Sequence, residues 1–124
     1  MNVLIVEDDK LTLTALQHCI ESLGHHSFLA LESTDAIRHV RNFKIDFIFS
    51  DILMPGISGL SLVSIMRNVY LIKAPIILIS TMKTSVVRNA SEFMGADDFI
   101  EKPFTIADLA YKITKYTSPE LKNH

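Results

Sequence analysis

The chain has 124 residues, of which 48% are hydrophobic and 21% charged, with a net charge of −2. That length and composition describe one globular domain able to bury a core without staples, and the lack of a basic run excludes nucleic-acid binding through an electrostatic footprint. No apolar stretch reaches the roughly 18 residues of a membrane span, Met1 leads into a strand-like run and not a signal peptide, and the single cysteine, Cys19, cannot form an internal disulfide, which fits a reduced, cytosolic compartment.

Val3-Leu4-Ile5-Val6 reads as a short strand buried on both faces, ending on Glu7-Asp8-Asp9. Asp9 or its neighbour caps a helix running to about Leu23, with Leu11, Ala15, Leu16, Cys19, Ile20 and Leu23 predicted to face inward. Gly24 ends it, and His25-His26 fall in a loop. Phe28 to Leu31 is a second strand, followed by a Ser33-Thr34-Asp35 cap and a helix through Arg41. Phe47 to Ser50 forms a third strand that delivers Asp51 to its tip, where Met54-Pro55-Gly56 stops it. Asp46 and Asp97-Asp98 read as turn residues ahead of their strands.

A helix over Leu60 to Val69 follows the loop from Gly56 to Gly59. Ile76 to Ile79 is a fourth strand, ending on Ser80-Thr81. A further helix is predicted over roughly Ser85 to Met94, with Val87, Ala90, Ser91 and Met94 on its core stripe. Phe99-Ile100 is a fifth strand, ending on Glu101-Lys102-Pro103, and the last helix runs from Ile106 to about Tyr116 with Leu109, Ala110 and Ile113 inward. Strands alternating with helices predict a three-layer α/β sandwich around a parallel sheet with right-handed crossovers. The domain spans residues 1–117, and 118–124 form a short polar tail, a natural end or the stub of a linker.

In a parallel sheet all strand tips share one edge, so Glu7, Asp8, Asp51, Ser80 and Lys102 converge. Three carboxylates that close cannot all stay ionised without a counter-charge. A hard divalent cation such as Mg²⁺ accepts oxygen ligands while keeping several waters, and Lys102 adds a point charge suited to a phosphate oxygen. The set describes an aspartate poised to accept a phosphoryl group.

Val3 to Asp9, Phe47 to Gly59, Pro75 to Thr81 and Gly95 to Phe104 (GADDFIEKPF), in that order and spacing, resemble the receiver domain of two-component response regulators. The resemblance implies a flavodoxin-like sheet in the order 2-1-3-4-5. It also implies that Asp51 is the phosphoacceptor, with Asp8 and Asp51 as Mg²⁺ ligands, Glu7 acting through water and the Leu53 backbone carbonyl completing the protein ligands. Lys102 would contact the phosphoryl group, and the bond before Pro103 would be cis. The donor would be a phosphohistidine on a histidine kinase or phosphotransfer protein. Ser80 and Phe99 would form the switch, changing the surface of the fourth helix, fifth strand and fifth helix toward a downstream target or output domain. The chain would then be no enzyme in the turnover sense, assisting only its own phosphorylation and dephosphorylation.

Val86 and Phe93, seven residues apart, share a helix face next to Phe99 and suggest a docking surface for a partner or a second copy in a homodimer. Two rival readings have weaker support. A phosphohydrolase of the haloacid-dehalogenase type needs Asp-x-Asp after the first strand, where this chain has Glu7-Asp8-Asp9. A degenerate receiver, acting as a phosphorylation-independent interaction module, would not need Asp8, Asp51, Ser80 and Lys102 all intact. No glycine-rich phosphate loop supports nucleotide binding.

Leu53 and Met82 are apolar, and Thr81 is bulky, at positions flanking the expected site. These side chains are expected to crowd the path of water to the acyl phosphate and prolong its life. A Leu53→Asn, Met82→Glu double variant should therefore lose the phosphoryl group several-fold faster than the parent. An unchanged decay of the phosphorylated mass would remove this explanation.

Overall fold

In the computed structural model, residues 1–81 and 94–118 are described. The helix expected over 85–94, including Val86 and Phe93, together with Met82 and residues 119–124, lies outside them except for Met94. The elements are β1 (Asn2–Val6), α1 (Lys10–Ser22), β2 (His26–Ala30), α2 (Ser33–Asn42), β3 (Phe47–Asp51), α3 (Gly59–Asn68), β4 (Ile76–Ser80), β5 (Asp98–Glu101) and a C-terminal helix (Ile106–Thr117).

The five strands form one sheet in the order β2-β1-β3-β4-β5, with every neighbouring pair parallel. This is the flavodoxin-like order expected from sequence. Its sense of winding reverses between β1 and β3, so the crevice beyond their carboxyl ends is the natural ligand position of such a sheet.

Alternation along the strands divides the core into two layers. Leu4, Val6, Ile48, Ile76 and Leu78 pack with Ala36, Val40, Leu62, Val63 and Met66 from α2 and α3. Val3, Ile5, Phe47, Phe49, Ile77 and Ile79 pack with Leu13, Leu16 and Ile20 from α1 and with Leu109 and Ile113 from the C-terminal helix. Covering both faces explains why β1, β3 and β4 read as unbroken apolar runs.

The local readings need four corrections. Leu11 is 83% exposed and Ala15 is also exposed, while Leu13 is buried. Asp9 caps α1 through Thr12 N at 3.0 Å and Thr12 Oγ1 at 2.6 Å, so the start of the helix is anchored next to β1 and Leu13, Leu16 and Ile20 become its inward face. β2 begins at His26, because His26 pairs with Asn2, and Leu31 lies beyond its end. Glu32, not Ser33, is the N-cap of α2 and makes no side-chain capping bond. Asp98 belongs to β5, where it is half-buried and accepts from Lys112 Nζ at 2.8 Å and Tyr116 OH at 2.7 Å.

At the sheet edge remote from the acidic tips, Arg67 donates to the carbonyls of Ile72, Ala74 and Gly95 and to Asp97 Oδ2. Asp97 in turn accepts from Ile76 N at 2.8 Å. These bonds set where β4 begins and hence where Ser80 ends it.

Gly59, the first residue of α3, sits directly on the tip of β3. A Cβ there would collide with the Asp51 carbonyl oxygen and lie 2.8 Å from Ile52 Cα. Both are backbone atoms with no rotamer in which to retreat. Gly59→Ala should lower stability by about 1–3 kcal/mol, the range of an overpacked core, read as the midpoint of chemical denaturation. An unchanged midpoint would mean that α3 can move off β3 freely.

Candidate functional site

β1 ends at Val6, and Glu7 N still ties the chain to β2 by donating to Ala30 O at 3.0 Å. The Glu7 side chain is 1% exposed. Asp8 follows and is exposed. Across the crevice Asp51, the last residue of β3, is 6% exposed. Glu7, Asp8 and Asp51 each bring a carboxylate oxygen within 4.8 Å of the others.

Lys102 reaches this cluster from beyond β5. Its Nζ lies 3.1 Å from Glu7 Oε2 and 3.3 Å from Asp51 Oδ2. Its backbone N donates to Ser80 O at 2.8 Å, so the lysine is anchored on the neighbouring strand tip, and the Lys102–Pro103 peptide is cis. Ser80 is buried at the end of β4. Phe99 is half-buried and packs on the α2/α3 side of the sheet. Leu53 is 60% exposed, with its N 3.4 Å from Asp51 Oδ1.

Glu7 does not titrate normally. Burial pushes Glu7 up to about 7, and the charge of Asp51 adds to this, while the Asp9 amide and Lys102 pull the other way. Burial works against the Lys102 ammonium, yet the bond to Glu7 and the charges of Asp51 and Glu7 outweigh it and hold its pKa above the ordinary value. A carboxyl buried beside other acids is costly to ionise, and a cation placed among them lowers that cost. The donor set is hard oxygen throughout, which suits Mg²⁺ and not a thiophilic or imidazole-seeking metal. The residues present therefore fit that ion.

The backbone under Asp51 is tied on several sides. Ser50 Oγ donates to Asp51 O at 3.1 Å, Ile52 N to Ile79 O at 3.1 Å, and Gly59 N to Ile52 O at 2.9 Å. Sequence reasoning foresaw the convergence of Glu7, Asp8, Asp51, Ser80 and Lys102 at one edge. It missed the supporting parts played by Ser50 and Gly59, which read locally as a strand residue and a loop end. The close approach that demands glycine becomes visible only with α3 in place. Among the described residues, no helix is long and apolar enough to cross a membrane.

Fold and site together define a parallel α/β module with a carboxylate cluster and a lysine over its winding reversal. Residues 3–114 match the family described as the response regulator receiver domain, and the chain belongs to that family. It is 31% identical over 113 residues to the transcriptional regulatory protein YvrH of Bacillus subtilis, covering 90% of this chain and 47% of that protein. The chain spans about half the length of the curated relatives it matches.

Among solved structures it is similar to a two-component response regulator from Clostridium difficile, with 25% identity, a TM-score of 0.89, and coverage of 97% of this chain and 98% of that one. It is also similar to the receiver domain of the sensor histidine kinase PA1611 from Pseudomonas aeruginosa, which holds a magnesium ion in its active-site cleft. There the identity is 25% and the TM-score 0.82, over 93% of this chain and 95% of that one.

The raised Glu7 has a consequence of definite sign. Between the ordinary value of 4.5 and about 7 the folded protein keeps a proton that the unfolded chain has lost. Metal-free stability should therefore fall as pH rises through that window, by on the order of 2 kcal/mol. Thermal unfolding in chelator from about pH 5 to about pH 7.5 should show this slope, and Glu7→Gln should flatten it. Parallel slopes in the two proteins would show that Glu7 titrates normally.

Proposed function

We propose that this domain is a phosphorylation-activated signalling switch in which Asp51 accepts a phosphoryl group from a phosphohistidine. The observation that carries the reading is the reach of Lys102 Nζ to both buried carboxylates, Glu7 and Asp51, of one acidic cluster. An Asp51 oxygen attacks phosphorus, the bond from phosphorus to the donor imidazole nitrogen breaks, and the imidazole leaves. Asp8, Asp51 and the Leu53 carbonyl would hold Mg²⁺, with Glu7 acting through water, and the ion would neutralise charge on the transferring group. Lys102 exchanges its contact with Asp51 for a phosphoryl oxygen and so balances the added charge. Burial of Asp51 strengthens each of these attractions relative to water.

The donor is a histidine kinase or a histidine phosphotransfer protein. Ser80, at the neighbouring strand tip, then bonds a phosphoryl oxygen, and Phe99 rotates toward the space vacated. The outcome is a changed surface around β5 and the C-terminal helix, read by a downstream protein or output domain in the cytoplasm. Phe99 has no hydroxyl, so the partner reads its shape. The domain assists its own phosphorylation and dephosphorylation without turnover of a separate substrate.

Incubation with acetyl phosphate should add one phosphoryl group by intact mass, dependent on Mg²⁺ and abolished in Asp51→Asn. Should acetyl phosphate prove a poor donor, beryllofluoride with Mg²⁺ should still bind the wild type and not Asp51→Asn. Failure of both would sink the reading and favour a phosphorylation-independent interaction module.

A further inference from the structure

The loop between β3 and α3 carries Leu53, the residue whose carbonyl is assigned to the metal. Near its start, Ile52 N is tied to β4 and Ile52 O to Gly59 N. Near its end it is tied to a different element altogether. Ser33 Oγ, at the start of α2, donates to Ile57 O at 2.9 Å.

Ser33 is 4% exposed, among the few buried polar residues of the described chain. A serine at the start of a helix ordinarily caps that helix. Here the cap position falls to Glu32, which makes no side-chain capping bond, and the Ser33 hydroxyl serves another segment. A local preference set aside in this way marks a place where a tertiary demand prevails. The beneficiary is a carbonyl that lies in the same short loop as Leu53 and two residues before Gly59. With Gly59 pressed on Asp51 and Ile52 on one side and Ser33 holding Ile57 on the other, the loop is closed into a small frame beside the acidic cluster.

We propose that Ser33 is a positioning residue for the metal site, its hydroxyl holding the loop through Ile57 O so that the Leu53 backbone stays in place for the ion. This rests on the reading of Glu7, Asp8, Asp51 and Leu53 as the Mg²⁺ site. It makes the start of α2 part of that site's support, although Ser33 contributes no atom to the ion. Removing the hydroxyl leaves Ile57 O without this donor in a protected position, and the loop is free to rearrange around water.

The test is the affinity of the folded protein for Mg²⁺ alone, by calorimetric titration, in wild type, Ser33→Ala, Ser33→Thr and Asp8→Asn. Ser33→Ala should weaken Mg²⁺ by roughly tenfold, the lower end of losses seen when support of a ligand is removed, and Ser33→Thr should restore most of it. Amide exchange across residues 53–58 should be faster in Ser33→Ala, a readout that holds even if that variant is less stable. A purely structural serine would lower the unfolding temperature and leave the affinity of the folded molecules unchanged, and that result overturns the proposal alone. Equal weakening in Ser33→Ala and Ser33→Thr also overturns it, because the hydroxyl would then not be the cause. Wild type that binds no Mg²⁺, or Asp8→Asn that binds as well as wild type, overturns the site assignment and this proposal with it.

Discussion

The contact on which the structure turns is Lys102 Nζ between Glu7 Oε2 and Asp51 Oδ2. It joins residues 95 and 51 positions apart in the chain and draws the ends of β1, β3 and β5 toward one point. Without it two nearly buried carboxylates would repel each other with no cation between them. With it, one ammonium serves both, and yet Glu7 still rises to about 7. In the proposed reading a divalent ion would supply further positive charge beside these carboxylates, and the Lys102 ammonium would meet the incoming phosphoryl group.

Everything beneath that contact serves to hold backbone still. The strands are anchored at both ends: Arg67 and Asp97 fix the start of β4, while Lys102 N bonds Ser80 O at its tip. Asp98 accepts from Lys112 and Tyr116, which sets β5 against the C-terminal helix and so determines where Lys102 emerges. Burial works against the ionised form of Asp98, but the bonds from Lys112, Tyr116 and the Phe99 amide prevail and hold its pKa below the ordinary value. Side chains mounted on sheet tips inherit the rigidity of the sheet, which is why precise sites are built there and not on free loops. The loop after Asp51 is held differently, by ties from β4, α3 and α2.

The order of elements and the identity of the edge residues were legible because each rests on local pattern. Short apolar runs, stopped by acidic or hydroxyl groups and alternating with helical patterns, read as buried strands whose tips meet solvent. Helix start signals were less dependable. Asp9 capped as read, through Thr12, but Ser33 did not, because it is already the first residue of α2, with Glu32 at the cap position, and its hydroxyl is turned to donate to Ile57 O. The phase of α1 failed for a related reason. Apolar residues occupy more than one stripe of that helix, and which stripe turns inward depends on where its first turn is fastened.

The sequence by itself determined the strands, the parallel α/β class and the gathering of Glu7, Asp8, Asp51, Ser80 and Lys102 at one edge. Hydrophobic period and strand-end chemistry are properties of neighbours along the chain, and they suffice for that. Only the tertiary structure decided that Leu13 and not Leu11 enters the core, that Gly59 must lack a side chain, that Ser33 serves Ile57, and that Glu7 resists ionisation. Each of these depends on atoms brought close from distant parts of the chain. Steric exclusion, a hydrogen bond between distant segments and the energy of a buried charge exist only once those atoms have met.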